Sequence, residues 1–456
     1  MDYFLDRYLF PYLPMALNDE RKTSIRHAAM EIVSWGDWSC GLQDPATLFE
    51  NHPSYLLAEG TFLFLGLLVM INAWRLGGRH FYLWLGSLAL GLICEGAQLQ
   101  LAEGRLSRQW HSQSTVMLMG RRLPLHHVVG VYPLLTYLPS VVASRLQLSW
   151  LAESCAAALI SLMLSVPYEL LGSKLLWWQW RGGDPLLQEK ALLLVPWAVF
   201  YAKVAFTLAF VSLVKTFRTL LLPLEYDWKL FPREFLSVVL AATLTLGLGS
   251  LLCFPLAVGH AFGIHTELIC LTLFGLCAIV VWTADRHDDS LEARPEDGGI
   301  RFSFDELTPS IFLHLGLFLI LAVVALPQEI IATGMYQPVG NCNATEPLPD
   351  LPDHFYQWTG LKRPSRKTYL CGTKYDKRLF DFHCLPNNPK NEAPKSQDGR
   401  PLEWYTMCGT AFGNHLQLIF VVFVASALFG LVLYQVIARS GEIPVAPVKE
   451  RKKKKE

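Results

Sequence analysis

Nine apolar runs constrain this chain more than any other feature of its sequence. They cover residues 56–74, 81–99, 124–144, 150–171, 191–214, 235–257, 266–284, 310–331 and 415–438. About 20 mostly apolar residues in helical form cross the hydrocarbon layer of a bilayer. Lipid offers no partner to an open strand edge, so each run must close its backbone hydrogen bonds within itself, as a helix. The expected fold is an all-α polytopic membrane protein, a bundle of about nine transmembrane helices. The count falls to eight if 124–144, which holds His126, His127 and several prolines and glycines, does not cross. Composition agrees: 52% of residues are hydrophobic and 17% charged, against about 25% charged in a soluble domain. Lys+Arg and Asp+Glu stand at 39 each, so no excess charge argues for nucleic acid. Residues 1–20 carry no basic start, apolar core and small-residue cleavage site of a signal peptide.

The runs divide the chain into five parts. Residues 1–55 form an N-terminal interfacial segment with aromatics among charges (Tyr3, Phe4, Tyr8, Trp35, Trp38), and residues 56–331 form the bundle. Residues 332–414 form a cystine-rich loop, 415–438 the last helix and 439–456 a basic tail. The loop contains Cys342, Cys371, Cys384 and Cys408, four of the chain's ten cysteines, and the sequon Asn343-Ala344-Thr345. An even set of cysteines suggests two disulfides, with three pairings open. Disulfides and N-glycans both belong to the lumenal side. The last helix then returns to the cytosol, where basic residues are favoured. Lys453 and Lys454 stand at the positions of a dilysine retrieval signal, a receptor-read address of the endoplasmic reticulum. The expected partners are membrane lipids and, through that tail, the coat machinery. Nine crossings place the N-terminus in the lumen. One feature opposes this: the loop 100–123 would be lumenal, yet it holds Arg105, Arg108, Arg121 and Arg122.

Polar residues inside the runs are the candidates for chemistry, because a charge at the bilayer centre costs at least ~2.5 kcal/mol. Glu59, Glu153, Glu267 and Glu329 lie near helix ends, from which a side chain reaches the headgroups. Glu95, His126-His127, Glu169 and Lys203 lie deeper, on four consecutive spans. Adjacent residues on a helix do not share a face, so at most one of the two histidines points at a given partner. A buried lysine needs a carboxylate or loses its proton. These residues are expected to converge on one pocket, the alternative being separate interhelical hydrogen bonds. Two histidines and two glutamates suit zinc or iron by type. There is no HExxH, no spaced histidine box and no CxxC pair, so no metal and no other cofactor is expected. Trp177, Trp178 and Trp180 follow a helix end, the usual place of an aromatic belt. The spacing of Trp178 and Trp180 also aims two indoles the same way from an extended segment.

A resemblance adds to this reading. The Gly91 to Gly96 segment (G-x-x-x-E-G), VVGVYPLLTYLP at 128–139, Glu169 followed by Trp178-x-Trp180, and Val-Pro-Trp at 195–197 are similar to the carotenoid-biosynthesis membrane protein family that includes bisanhydrobacterioruberin hydratase. The similarity spans about residues 91–204, and Ser165, Glu169-Leu170, Leu194 and Ala198 depart from the family pattern. The resemblance implies acid-assisted addition of water to an isoprenoid double bond, or a related cyclisation. Glu95 and Glu169 would be the acid pair, His127 or His126 the proton relay, and Trp178 and Trp180, with Lys203, would line the substrate. The expectation is a lipid or isoprenoid lyase or hydratase of the endoplasmic reticulum membrane. A transporter or channel for a small solute, and a non-catalytic binding or organising protein working through residues 335–412, are the other classes.

Overall fold

In a computed structural model the chain is described at Ser24, His27, Met30 and Glu31 and over residues 34–100, 108–191, 194–223, 226–284, 306–386, 388–394 and 400–439. Lys453 and Lys454 of the expected retrieval signal lie outside the described residues, as does Arg105. Among the described residues, nine helices are long and apolar enough to cross a membrane, and the protein is a multi-pass membrane protein. They are α1 (Pro53–Leu76), α2 (Gly78–Gln100), α3 (Tyr132–Ser144), α4 (Trp150–Lys174), α5 (Trp197–Leu221), α6 (Phe231–Ala261), α7 (Thr266–Thr283), α8 (Leu307–Val324) and α9 (His415–Arg439). A π-helical turn, His127–Val131, leads into α3.

Each helix matches one apolar run, with displaced ends. α5 begins at Trp197 and not at 191, because Lys190–Ala191 pairs antiparallel with Val195–Pro196 just before it. α8 stops at Val324, because Pro327 opens a short 3-10 turn and Ile331 begins a strand. The least regular run, 124–144, is one of the two most enclosed spans, the other being α4. A helix surrounded by helices meets protein and not lipid, so it can carry histidine, glycine and proline. Its entry is held by a close backbone approach: a Cβ on Gly66 would stand 2.3 Å from the Val129 carbonyl, and one on Gly130 would stand 2.3 Å from that of Phe62. Small residues at crossings permit this spacing in membrane bundles.

The connections at one end of the bundle build a β layer. A four-stranded sheet holds Ile331–Gly340 between Leu370–Cys371 (parallel) and Leu402–Gly409 (antiparallel), and Phe380–Asp381 pairs with the outer side of the last. Disulfides Cys342–Cys371 and Cys384–Cys408 select one of the three possible pairings. A two-stranded ribbon, Gln109–His111 with Trp178–Trp180, meets this sheet through the bridge Ser112 to Gly334. A further sheet joins Cys40–Leu42, Val116–Leu118 and Leu123–Pro124.

Arg108, Arg121 and Arg122 of the 100–123 segment therefore belong to this β layer. Arg108 pairs with Asp184 and Asp350, Arg121 with Asp37, and Arg122 approaches Glu403 at 4.0 Å. Their positive charge is met within the protein, which removes their weight as an orientation signal.

Two other expectations change. Glu59 and Glu153 do not reach for headgroups. Glu59 is buried and accepts hydrogen bonds from the Thr115 backbone N–H at 3.0 Å and from its hydroxyl, while Glu153 pairs with Lys215. Trp177, Trp178 and Trp180 do not form a lipid-facing belt, because all three are buried beneath the β layer. Glu267 and Glu329 are exposed near helix ends, in keeping with the simpler reading.

Candidate functional site

Four elements bring a set of titratable side chains together just inside the β end of the bundle. α2 supplies Glu95. Four residues earlier on the same helix stands Gly91, where a Cβ would lie 2.9 Å from the Tyr132 ring. The missing side chain lets Tyr132 lie across α2 and donate its hydroxyl hydrogen to Glu95 Oε1 at 2.8 Å. The G-x-x-x-E spacing thus has a local physical meaning, since positions four apart share a helix face.

The π-helical turn supplies His127. Its Nε2 lies 3.5 Å from Glu95 Oε1, and its Nδ1 shares a hydrogen bond of 3.2 Å with the Tyr168 hydroxyl of α4. His126 points elsewhere. Its ring stacks on Phe62 and meets the edge of Tyr55, so of the two adjacent histidines His127 alone reaches Glu95. π-helical turns recur at functional sites because one extra residue re-aims the side chains of a helix.

α4 also supplies Glu169, next in sequence to Tyr168 and 1% exposed. Lys203 of α5 places Nζ 3.3 Å from Glu169 Oε1. That is ion-pair distance, yet among the described residues neither Glu169 oxygen accepts an aligned hydrogen bond. We take the contact as an electrostatic pair whose carboxylate keeps hydrogen-bonding capacity to spare. Glu95 is 15% and Lys203 30% exposed at the side chain.

The β ribbon supplies a residue that the sequence reading missed. Register pairs His111 with Trp178, and this places the His111 ring 4.7 Å from that of His127. Burial above all, with the neighbouring charge of His127 and Lys203, pushes the His111 imidazole down to about 3, against the pull of Glu95. His111 is therefore a neutral imidazole at physiological pH. One ligand atom from each of Glu95, His111 and His127 lies within 4.8 Å of the other two.

Trp178 closes the set from the β side, with its ring 4.6 Å from Tyr168, and Trp180 meets Trp178 edge-on at 6.3 Å. Among the described residues neither indole N–H finds an acceptor. Trp178 lies directly over Gly172 of α4, where a Cβ would stand 2.0 Å from the ring.

The structure therefore brings together Glu95, His127, Glu169, Lys203 and Trp178 of the expected residues, leaves His126 outside, and adds His111, Tyr132 and Tyr168. No spacing in the sequence marks His111, because strand pairing with Trp178, far along the chain, sets its place. Such an assembly holds acids, bases and imidazoles in an enclosed setting, the arrangement from which proton transfer is made.

The profile of a family described as Domain of unknown function (DUF7802) matches residues 1–438. No curated protein and no solved structure matches the chain. The chain belongs to the DUF7802 family.

Proposed function

We propose that this member of the DUF7802 family is a membrane-embedded enzyme that uses acid–base chemistry to add water to, or cyclise, an apolar isoprenoid or related lipid. One observation carries the reading: Glu95, His127, Glu169 and Lys203, from four different elements, converge in one buried place. Bundles that only need hydrogen bonds between helices do not require two acids, a lysine and two histidines at one point, given the cost of burying each.

The chemistry follows from the contacts. In hydration, a proton from the Glu95–His127 pair joins one alkene carbon, and the other carbon becomes a cation. Water adds to that cation, and its surplus proton passes to Glu169, so the sum is alkene plus water to alcohol. Tyr168 and Tyr132 hold His127 and Glu95 in place. The Trp178 face stabilises the cation through its ring electrons. In cyclisation, a second double bond of the same chain takes the place of water, and the new cation loses a proton from its neighbouring carbon to Glu169, so the product is an isomer of the substrate.

The partial resemblance to the carotenoid-biosynthesis family supports an isoprenoid substrate, since its shared positions include Glu95 and the Trp178-x-Trp180 pair, and Glu169 keeps an acid there although it departs from the family's aspartate. The β layer supports a lumenal placement of its end of the bundle: it holds two disulfides and the exposed sequon residue Asn343. Together with the dilysine tail, this favours the endoplasmic reticulum membrane and a cytosolic C-terminus.

The test uses purified protein in lipid nanodiscs with lycopene and geranylgeraniol as probes, in water enriched in oxygen-18. Mass spectrometry should find hydrated product carrying the label, or an isomer of equal mass if the product is cyclic. Glu95→Gln and Glu169→Gln should each reduce turnover by about 10²-fold or more. Unchanged turnover in both variants, or no conversion by the wild type of either probe or of its co-purifying lipids, would overturn the proposal.

A further inference from the structure

We propose that Glu95, His111 and His127 bind one divalent transition-metal ion, zinc or ferrous iron, through two imidazoles and a carboxylate. The geometry comes first. Their ligand atoms lie within 4.8 Å of one another. Ligands about 2.0–2.2 Å from a common ion stand no more than about 4.4 Å apart, so small side-chain movements close the site.

The surroundings fit a metal as well. The Tyr168 hydroxyl at His127 Nδ1 leaves Nε2 facing Glu95. A hydrogen bond to the remote ring nitrogen is the usual way to orient a metal-bound histidine. Tyr132 does the same for Glu95 through Oε1. His111 is 7% exposed, and its ring stands 4.7 Å from that of His127.

Three protein ligands leave coordination positions open, the mark of a reactive site and not of a structural one. Two histidines and one carboxylate suit ferrous iron or zinc.

The inference rests on the proposed function for its role and deepens it. With an ion bound, Glu95 and His127 would serve as its ligands and not as the proton donor. The ion would lower the pKa of a bound water to about 7. That water would give its proton to one alkene carbon and its hydroxide to the other, so the sum stays alkene plus water to alcohol.

The experiment measures metal directly. Protein purified through a tag without histidines, in nanodiscs, is stripped with a chelator and incubated with zinc chloride or, without oxygen, with ferrous salt. Elemental analysis should then find about one ion per chain. Cobalt(II) should give visible d–d bands, which His111→Ala and His127→Ala abolish. Tyr168→Phe should weaken cobalt binding by about tenfold while keeping the fold, and Glu169→Gln should leave the stoichiometry unchanged. The inference is overturned by wild-type protein that retains no ion after any incubation. It is also overturned by cobalt bands that persist in a monodisperse His111→Ala, His127→Ala protein, or by full affinity in Tyr168→Phe. Metal without lipid turnover would sink the proposed function alone, and turnover by metal-free protein would sink the ion alone.

Discussion

Two buried polar assemblies lie at the same end of this protein and are built on opposite principles. In the β layer, Asp184, Asp350 and Glu346 face Arg108, Arg181 and Arg366. Arg181 and Arg366 each reach Glu346 at 2.8 Å, Arg108 and Arg366 reach Asp184 at 3.2 and 3.6 Å, and Arg108 also pairs with Asp350. Three acids meet three arginines. Burial alone would lower the Arg108 guanidinium, and Asp350 and Asp184 more than reverse this. The bundle site holds two acids, one lysine, two imidazoles and two tyrosines, with hydrogen-bonding capacity left over at both Glu169 oxygens. The first assembly is matched in formal charge, although Asp350 Oδ2 also accepts no hydrogen bond among the described residues. The second has no such match of acids to cations, and this is the contrast on which the proposed function rests.

The strongest way to break this contrast is to cut the matched network. Asp184 is fully buried and also accepts from the Leu186 backbone N–H at 3.1 Å. Asp184→Ala should lower stability by about 3–5 kcal/mol, because it strands buried guanidinium charge. Thermal unfolding in nanodiscs reads this, and a loss under about 1 kcal/mol would show that the network is ornamental.

Acid probes a third kind of buried group, one satisfied by a single bond. His52 donates from Nε2 to the Leu175 carbonyl at 2.7 Å, and burial pushes it down to about 4, with that bond opposing. A histidine depressed in the folded state favours unfolding as it takes up a proton. Its stability is intact above about 6.5 and declines as the pH falls toward 4. The gap between 6.5 and about 4 is worth about 3 kcal/mol. Melting temperature followed from pH 7 to 4 should fall, and His52→Gln should flatten the slope.

Packing between the two assemblies should respond less. Gly172→Ala pushes a methyl into Trp178 and should cost about 1–3 kcal/mol as overpacking. It should also reduce turnover, because the ring it displaces lines the site. Tryptophan fluorescence and unfolding together test this.

The smallest stability change should come from the site itself. Gln at position 95 still accepts from Tyr132, so Glu95→Gln should shift stability by less than about 1 kcal/mol, or raise it. A loss as large as that of Asp184→Ala would erase the distinction and make Glu95 a structural residue.

How much of this was legible in the sequence differs by element. Spans facing lipid on one side, such as α7 and α9, are written as unbroken apolar runs. The central span 127–144 was the doubtful one, since its enclosure by other helices permits His127, Gly130, Pro133 and Pro139. Glu95, Glu169 and Lys203 stood out because a charge at that depth has few innocent explanations. Glu59 and Glu153 did not, because closeness to a helix end cannot distinguish escape to water from a partner in another segment. Trp178 was visible as an aromatic but not as a buried one.

The sequence by itself determined a helical membrane protein of eight or nine spans, the four cysteines of a bridged segment and the depth of the charged residues. The spans and the depths follow from the match between local composition and a slab of hydrocarbon about 30 Å thick, and the bridged segment from an even set of cysteines in a polar loop. Only the tertiary structure decided that Cys342 bonds Cys371 and Cys384 bonds Cys408, that His127 and not His126 faces Glu95, and that His111 joins them. Those outcomes depend on strand register, on a π-helical turn and on glycines where two backbones nearly touch. Each is a relation between distant parts of the chain, and no single segment carries it alone.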